Sequence, residues 1–178
     1  MKKLFLLLLA WLYPIASFSE NINGHTLPPE PDPKINNSTL LGIDSNNNGV
    51  RDDVERWIYK TYSHPIERGI FMQSARAYNL VIVDPKKAHE TIKYIDDSSS
   101  CEFYWIYHSK ENNESFSLDR YRDLEKEIRK VQFNSLKRHM AYERFNAEFS
   151  GEVFRAPPAS KNKCQFDKNG ILKALKDR

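Results

Sequence analysis

Twelve consecutive residues carry most of the chemistry legible in this chain: Asp44-Ser45-Asn46-Asn47-Asn48-Gly49-Val50-Arg51-Asp52-Asp53-Val54-Glu55. Calcium is a hard cation that takes six to eight oxygen ligands in a flexible cage. A twelve-residue loop supplies them from positions 1, 3, 5, 7, 9 and 12, with glycine at 6 for the sharp turn. Here Asp44, Asn46 and Asn48 stand at 1, 3 and 5, and Gly49 stands at 6. Val50 offers its backbone carbonyl from 7. Asp52 at 9 binds directly or through water, and Glu55 at 12 binds with both oxygens. The competing reading is a metal-free polar turn, because Asn-Gly and Asp/Asn clusters turn the chain unaided and Asp52 and Asp53 suit a helix N-terminus. The full set of matched positions favours one bound ion. Only Asp44, Asp52 and Glu55 bring charge, so the expected affinity is weak, on the order of 10⁻⁴–10⁻³ M, as for a structural clip outside the cytosol.

Two features depart from the EF-hand pattern. Position 8 is Arg51, where an apolar residue usually pairs with a second loop, and the apolar residue is Val50 instead. The segment Thr39-Leu40-Leu41-Gly42-Ile43 follows Pro28, Pro29, Pro31 and Pro33, which does not make an entering helix. In both respects the stretch resembles the single aspartate-rich loops of thrombospondin type 3 repeats. That likeness covers about a dozen residues. The segment from Leu27 to Tyr62, with its proline-rich lead, its Gly42-Ile43-Asp44-Ser45 and Gly49-Val50-Arg51-Asp52-Asp53 motifs and a helix holding Trp57, also resembles uncharacterised exported proteins of Gram-negative bacteria. Their resemblance brings no activity with it.

Export is written at the start of the chain. Lys2 and Lys3 precede an apolar run from Leu4 to Tyr13, and Ser17 and Ser19 suit a cut before Glu20. Pro14 and the short run argue against a membrane anchor, so residues 1–19 read as a signal peptide and the mature chain as periplasmic or secreted. Without Lys2 and Lys3 the chain holds 25 basic and 24 acidic residues, a balance that does not suit nucleic acid. The two cysteines, Cys101 and Cys164, then suit a disulfide, with two buried thiols as the alternative. Closing a loop of roughly 64 residues is worth about 4 kcal/mol in the chain-entropy treatment.

The elements that must position the loop read as helices. Residues 20–42 are rich in Pro and Asn and form an extended arm or linker, and residues 43–178 form one helical domain of a size that can hold its own core. Val54, Trp57, Ile58 and Tyr62 make one apolar face on the helix that leaves the loop. Pro65 opens a second helix with Ile66, Ile70, Ala75 and Tyr78 inward, and Leu80-Val81-Ile82-Val83 either ends it or forms a short strand. Asp84-Pro85 starts a third, to about Ile95. Cys101–His108 is aromatic-rich and fits helix or strand. After a polar break at 110–115, a long helix from Leu118 to Phe149 changes stripe near Val131–Ser135, which places a kink or a second packing partner there. A turn at Asp167–Gly170 leads to a short final helix with Ile171, Leu172 and Leu175. The expected fold is all-α: a compact bundle of about five to six helices, with the calcium loop before the first helix and a disulfide.

No catalytic constellation stands out. His89-Glu90 lacks a second histidine, there is no G-x-S-x-G elbow, and there is no phosphate-cradling glycine loop. His139 and Glu143 share a helix face and read as solvated. The reading is therefore a non-enzymatic, exported, calcium-binding helical protein that acts through contact with an envelope protein and has no membrane span after cleavage. The alternatives are an inhibitor or immunity-type protein, favoured by size and disulfide, and an envelope hydrolase without a recognisable motif.

Overall fold

The computed structural model describes residues 20–108 and 118–174. The expected signal segment and the polar break after His108 lie outside them. The described chain is mostly helical, with six α-helices and one two-stranded hairpin. None of these helices is long and apolar enough to cross a membrane.

The arm is more ordered than its composition suggests. Strands β1 (Asn21–Ile22) and β2 (His25–Thr26) pair antiparallel around Asn23-Gly24, both at positive φ, the geometry a tight hairpin turn demands. Asp32 caps a one-turn helix α1 (Pro33–Asn36) by accepting from the Ile35 N–H at 3.0 Å. The loop therefore follows one short helix instead of preceding the first. Leu27 and Asn36 are buried, so the arm is part of the packed body. Two arginines fasten it. Arg56 donates to the Pro28 carbonyl at 2.8 Å and pairs with Glu20 and Glu30. Arg138 is fully buried and donates to the carbonyls of Asn36 and Leu40 and to the Asn37 side chain.

Helix α2 (Asp52–Thr61) grows from the loop and buries Val54, Ile58 and Tyr59, with Tyr62 buried just beyond it. Helix α3 (Pro65–Val83) starts at a proline, where the missing N–H costs nothing. It packs against α2 and against three later helices: α4 (Ala88–Tyr107), α5 (Leu118–Gln132) and α6 (Leu136–Ala147). Surrounded on all sides, α3 buries polar residues as well as apolar ones. Leu80–Val83 is the last turn of α3, and not a strand, with Val81 and Ile82 fully buried, Leu80 half-buried and Val83 exposed. Cys101–Tyr107 is likewise helix, the second half of α4, so the expected third helix and the aromatic stretch are one element.

The expected long helix is two. Phe133 and Asn134 leave the helical path, and Ser135 restarts it as an N-cap accepting from the Arg138 N–H. The stripe change near Val131 marks this break, where a kink or a second packing partner was expected. The expected final helix is absent over residues 171–174. Phe166 bridges Leu172 antiparallel, with the Asp167 N–H on the Ile171 carbonyl at 2.9 Å and the Lys173 N–H on the Gln165 carbonyl at 2.8 Å. Phe166 is buried on Gly69, and Gly170 lies against the Pro65 carbonyl, so tertiary packing holds this tail extended. Cys101 and Cys164 form the expected disulfide, which ties the tail to α4.

Candidate metal centre

Of the six residues that the spacing singles out, Asn46, Asn48 and Glu55 meet, whereas Asp44 is engaged by backbone N–H groups and Asp52 turns to Ser45. Asp44 accepts from the backbone N–H groups of Asn48 (3.1 Å) and Gly49 (2.8 Å). Asn48 Oδ1 accepts from Val50 N–H at 2.8 Å, and Asn46 Oδ1 from Asn48 N–H at 3.1 Å. These local bonds curl the chain, with Asn47 and Gly49 at positive φ. Gly49 has no substitute. A Cβ there would meet the Arg76 side chain at 2.8 Å, and its carbonyl accepts from Asn79 Nδ2 at 2.8 Å.

Glu55 closes the loop from α2. Its carboxylate is fully buried. Oε2 accepts from Asn46 Nδ2 (3.0 Å) and Asn48 Nδ2 (2.7 Å), so positions 3, 5 and 12 meet at one point. Oε1 lies 2.7 Å from His25 Nε2. The His25 ring stacks on Tyr59 at 4.2 Å between centroids, which fixes the hairpin over the start of α2. Asp52 is buried too, and turns both oxygens to Ser45, accepting from its N–H (2.9 Å) and its hydroxyl. Among the described residues no three His, Cys, Asp or Glu side chains gather closely enough to hold a metal by themselves. The convergent set is one carboxylate with two amides, and Asp44 and Asp52 stand beside it.

The carboxylates of the loop raise one another's pKa. Burial pushes the Asp44 carboxyl above its ordinary range, against the backbone donors that lower it, and the charges of Asp52 and Glu55 push it further. Burial also raises Asp52, with Glu55 and Asp53 adding to the rise. The residue types, carboxylate and amide with no sulfur, are those a hard divalent cation takes, but Asn46 and Asn48 turn their Nδ2 groups to Glu55 while their Oδ1 atoms accept from backbone N–H groups. Asp44, Asn46 and Asn48 also line a surface pocket of about 560 Å³ together with Arg76 and Lys173.

The two departures from the EF-hand pattern have a structural reason. Val50 enters the core, fully buried. Arg51 is also fully buried, and its guanidinium caps α5 by donating to the carbonyls of Val131 (2.8 Å) and Gln132 (3.0 Å) while pairing with Asp53. An arginine at position 8 thus joins the loop to its own domain where an EF-hand would join a second loop. Gln132 Nε2 donates to Asn79 Oδ1 at 2.6 Å, which completes a path from Gly49 through α3 to α5. Local pattern could not have found His25 or Asn79, which lie 30 residues from the loop groups they bond. Ser45 sat inside the motif, unassigned.

Comparison with known proteins finds no matching family model, no similar curated protein and no similar solved structure.

Proposed function

We propose that the protein is an exported calcium-binding helical domain in which one ion serves structure, and that it acts through contact with a protein partner in the cell envelope. One observation carries the reading: the buried Glu55 carboxylate draws Asn46 and Asn48 onto itself, on a loop that already has the curl of a calcium loop. A buried carboxylate held only by neutral amides and a histidine is costly, and a cation at this point would offset that cost. Asp44, Asn46, Asn48, the Val50 carbonyl and Glu55 are the proposed direct ligands. Asp52 is committed to Ser45, which leaves it the through-water role of position 9. When bound, calcium supplies charge neutralisation and a fixed geometry between the arm and α2. His25 on Glu55, Arg56 on Pro28 and Arg51 on α5 are the protein's own means to the same end. The disulfide agrees with an oxidising compartment.

The test uses Asp44→Ala and Glu55→Ala. Thermal melting of the chelator-treated protein rises when calcium is added to the wild type and stays unmoved in both variants. A rise of the same size in either variant removes the loop as the site.

A further inference from the structure

Arg76 is a buried cation without an acid. It stands on α3 and is 2 % exposed. Its guanidinium donates to two neutral acceptors, the Lys173 carbonyl at 2.8 Å and the Gln165 side-chain oxygen at 2.8 Å. These take two of the five N–H donors a guanidinium carries, and the Nε–H has no partner among the described residues. Arg51, Arg56 and Arg129 each pair with a carboxylate, whereas none among the described residues pairs with Arg76. Burial, with no acid to oppose it, pushes the guanidinium down to about 10.

The charge is fixed between the loop and the tail. The stem of Arg76 lies on Gly49, where a Cβ would fall 2.8 Å from its Cδ. Gln165 is itself anchored, its N–H on Gln73 Oε1 at 2.8 Å and Gln73 Nε2 on the Lys163 carbonyl at 3.0 Å. Arg76 lines a pocket of about 560 Å³ whose other walls are residues 46–49 of the loop and 172–174 of the tail. Lys173 adds a second, exposed cation to it, also without a carboxylate partner among the described residues. Asp44 is the one acid in the lining, and both its oxygens already accept from backbone N–H groups. Asn47 stands exposed in the lining, at φ 55°.

We propose that this pocket binds the phosphate group of a small, hydroxylated phosphate monoester. A guanidinium buried among neutral acceptors is costly, and an oxyanion set against it offsets that cost. The planar fork of Arg76 is held in place by Lys173 and Gln165, so little ordering remains to be done when an oxyanion arrives. Charge selects phosphate over carboxylate. A phosphate monoester carries close to two negative charges at neutral pH and matches Arg76 and Lys173 together, whereas a carboxylate matches one of them. The volume is that of a small-ligand site, larger than a bare phosphate needs, and the Asn47 amide suits a hydroxyl on the rest of the molecule. The site stands on Arg76 and Lys173. Calcium on the loop would strengthen it by neutralising Asp44, and that part alone rests on the calcium reading.

The test titrates glycerol 3-phosphate into the isotope-labelled, disulfide-intact protein, once in chelator and once in calcium, and follows amide and Arg76 Nε–H resonances. The expected result is saturable shifts at Asn47, Gly49, Arg76 and Lys173, tighter in calcium, with weaker binding of acetate and none of glycerol. Arg76→Gln and Lys173→Ala should each weaken binding about tenfold or more, the loss of one charged donor. Lys173→Ala keeps the fold, because its side chain is exposed and its carbonyl still accepts from Arg76, so it carries the test if Arg76→Gln loosens the tail. No saturation in either condition through about 10 mM, above the usual range for small substrates, would overturn the site. So would unchanged binding in Lys173→Ala, or glycerol binding as well as its phosphate. The calcium melting shift is read on the same samples. Calcium binding without phosphate binding refutes this site alone, and phosphate binding without any calcium response upholds it while removing the loop reading.

Discussion

Glu102 gives the sharpest test of how the helical body is held together. It sits on α4 facing α3 and α5, fully buried. Ser74 Oγ donates to it at 2.5 Å, Ser98 Oγ lies 3.4 Å away, and the Tyr121 hydroxyl bonds to it. A cavity of about 70 Å³ adjoins it, lined also by Tyr78, Glu125 and Arg129. Burial pushes the carboxyl above its ordinary range and the Glu125 charge adds to that, while the three hydroxyls pull the other way. A folded-state value above the unfolded one means that this group's stabilisation is full below about pH 4.3 and is lost as pH rises through the raised value. Glu102→Gln keeps an acceptor and does not titrate, so it should lie within about 1 kcal/mol of wild type at low pH and lose less stability as pH rises. Glu102→Ala removes the acceptor from three buried hydroxyls. Ser74 and Ser98 can still satisfy each other at 3.0 Å, so the cost reduces to the Tyr121 hydroxyl plus an enlarged cavity, about 3–5 kcal/mol together. Urea unfolding followed by circular dichroism over a pH series reads both numbers. Parallel pH profiles for wild type and Glu102→Gln, or an alanine variant as stable as the glutamine one, would refute the reasoning.

Other outcomes follow from single contacts. Arg138→Met should cost about 2–4 kcal/mol, because two arm carbonyls lose a charged donor, and amide exchange should rise around residues 36–43. Reducing the disulfide should lower stability by about 4 kcal/mol, read from melts with and without reductant. Gly24 and Gly170 both sit at positive φ, but a Cβ at Gly24 meets nothing, whereas one at Gly170 falls 2.0 Å from the Pro65 carbonyl oxygen. Alanine should therefore cost about 1–2 kcal/mol at Gly24 and clearly more at Gly170, which thermal melts will separate.

The sequence disclosed what local chemistry governs. Of the stripe Val54, Trp57, Ile58 and Tyr62, Val54 and Ile58 are buried on α2, Trp57 is partly buried and Tyr62 is buried just beyond the helix, while Pro65 opened α3 and the cysteines paired. The hairpin at Asn23-Gly24 was equally local and went unread, since its strands are only two residues each. Non-local packing decided the rest. Helix α3 shows little amphipathic pattern because helices surround it, and Gln73, Arg76 and Asn79 are buried there by partners far along the chain. The tail after Asp167 has apolar residues at helical spacing, yet Gly170 against Pro65 and Phe166 on Gly69 hold it extended. At the loop, spacing pointed to Asn46, Asn48 and Glu55 as neighbours, and they are. Spacing could not show that Asp52 turns to Ser45, that Arg51 caps α5, or that His25 reaches Glu55 from the hairpin.

The measurement that tests the central claim most directly is a calorimetric titration of calcium into the chelator-treated protein, residues 20–178, beside Glu55→Gln. The account predicts one ion, with an affinity on the order of 10⁻⁴–10⁻³ M in the wild type and no measurable binding in the variant. Absence of binding heat in the wild type through several millimolar calcium, on the order of the weakest extracellular sites, would contradict it and leave Asp44–Glu55 a polar turn held by Asn46, Asn48 and His25 alone.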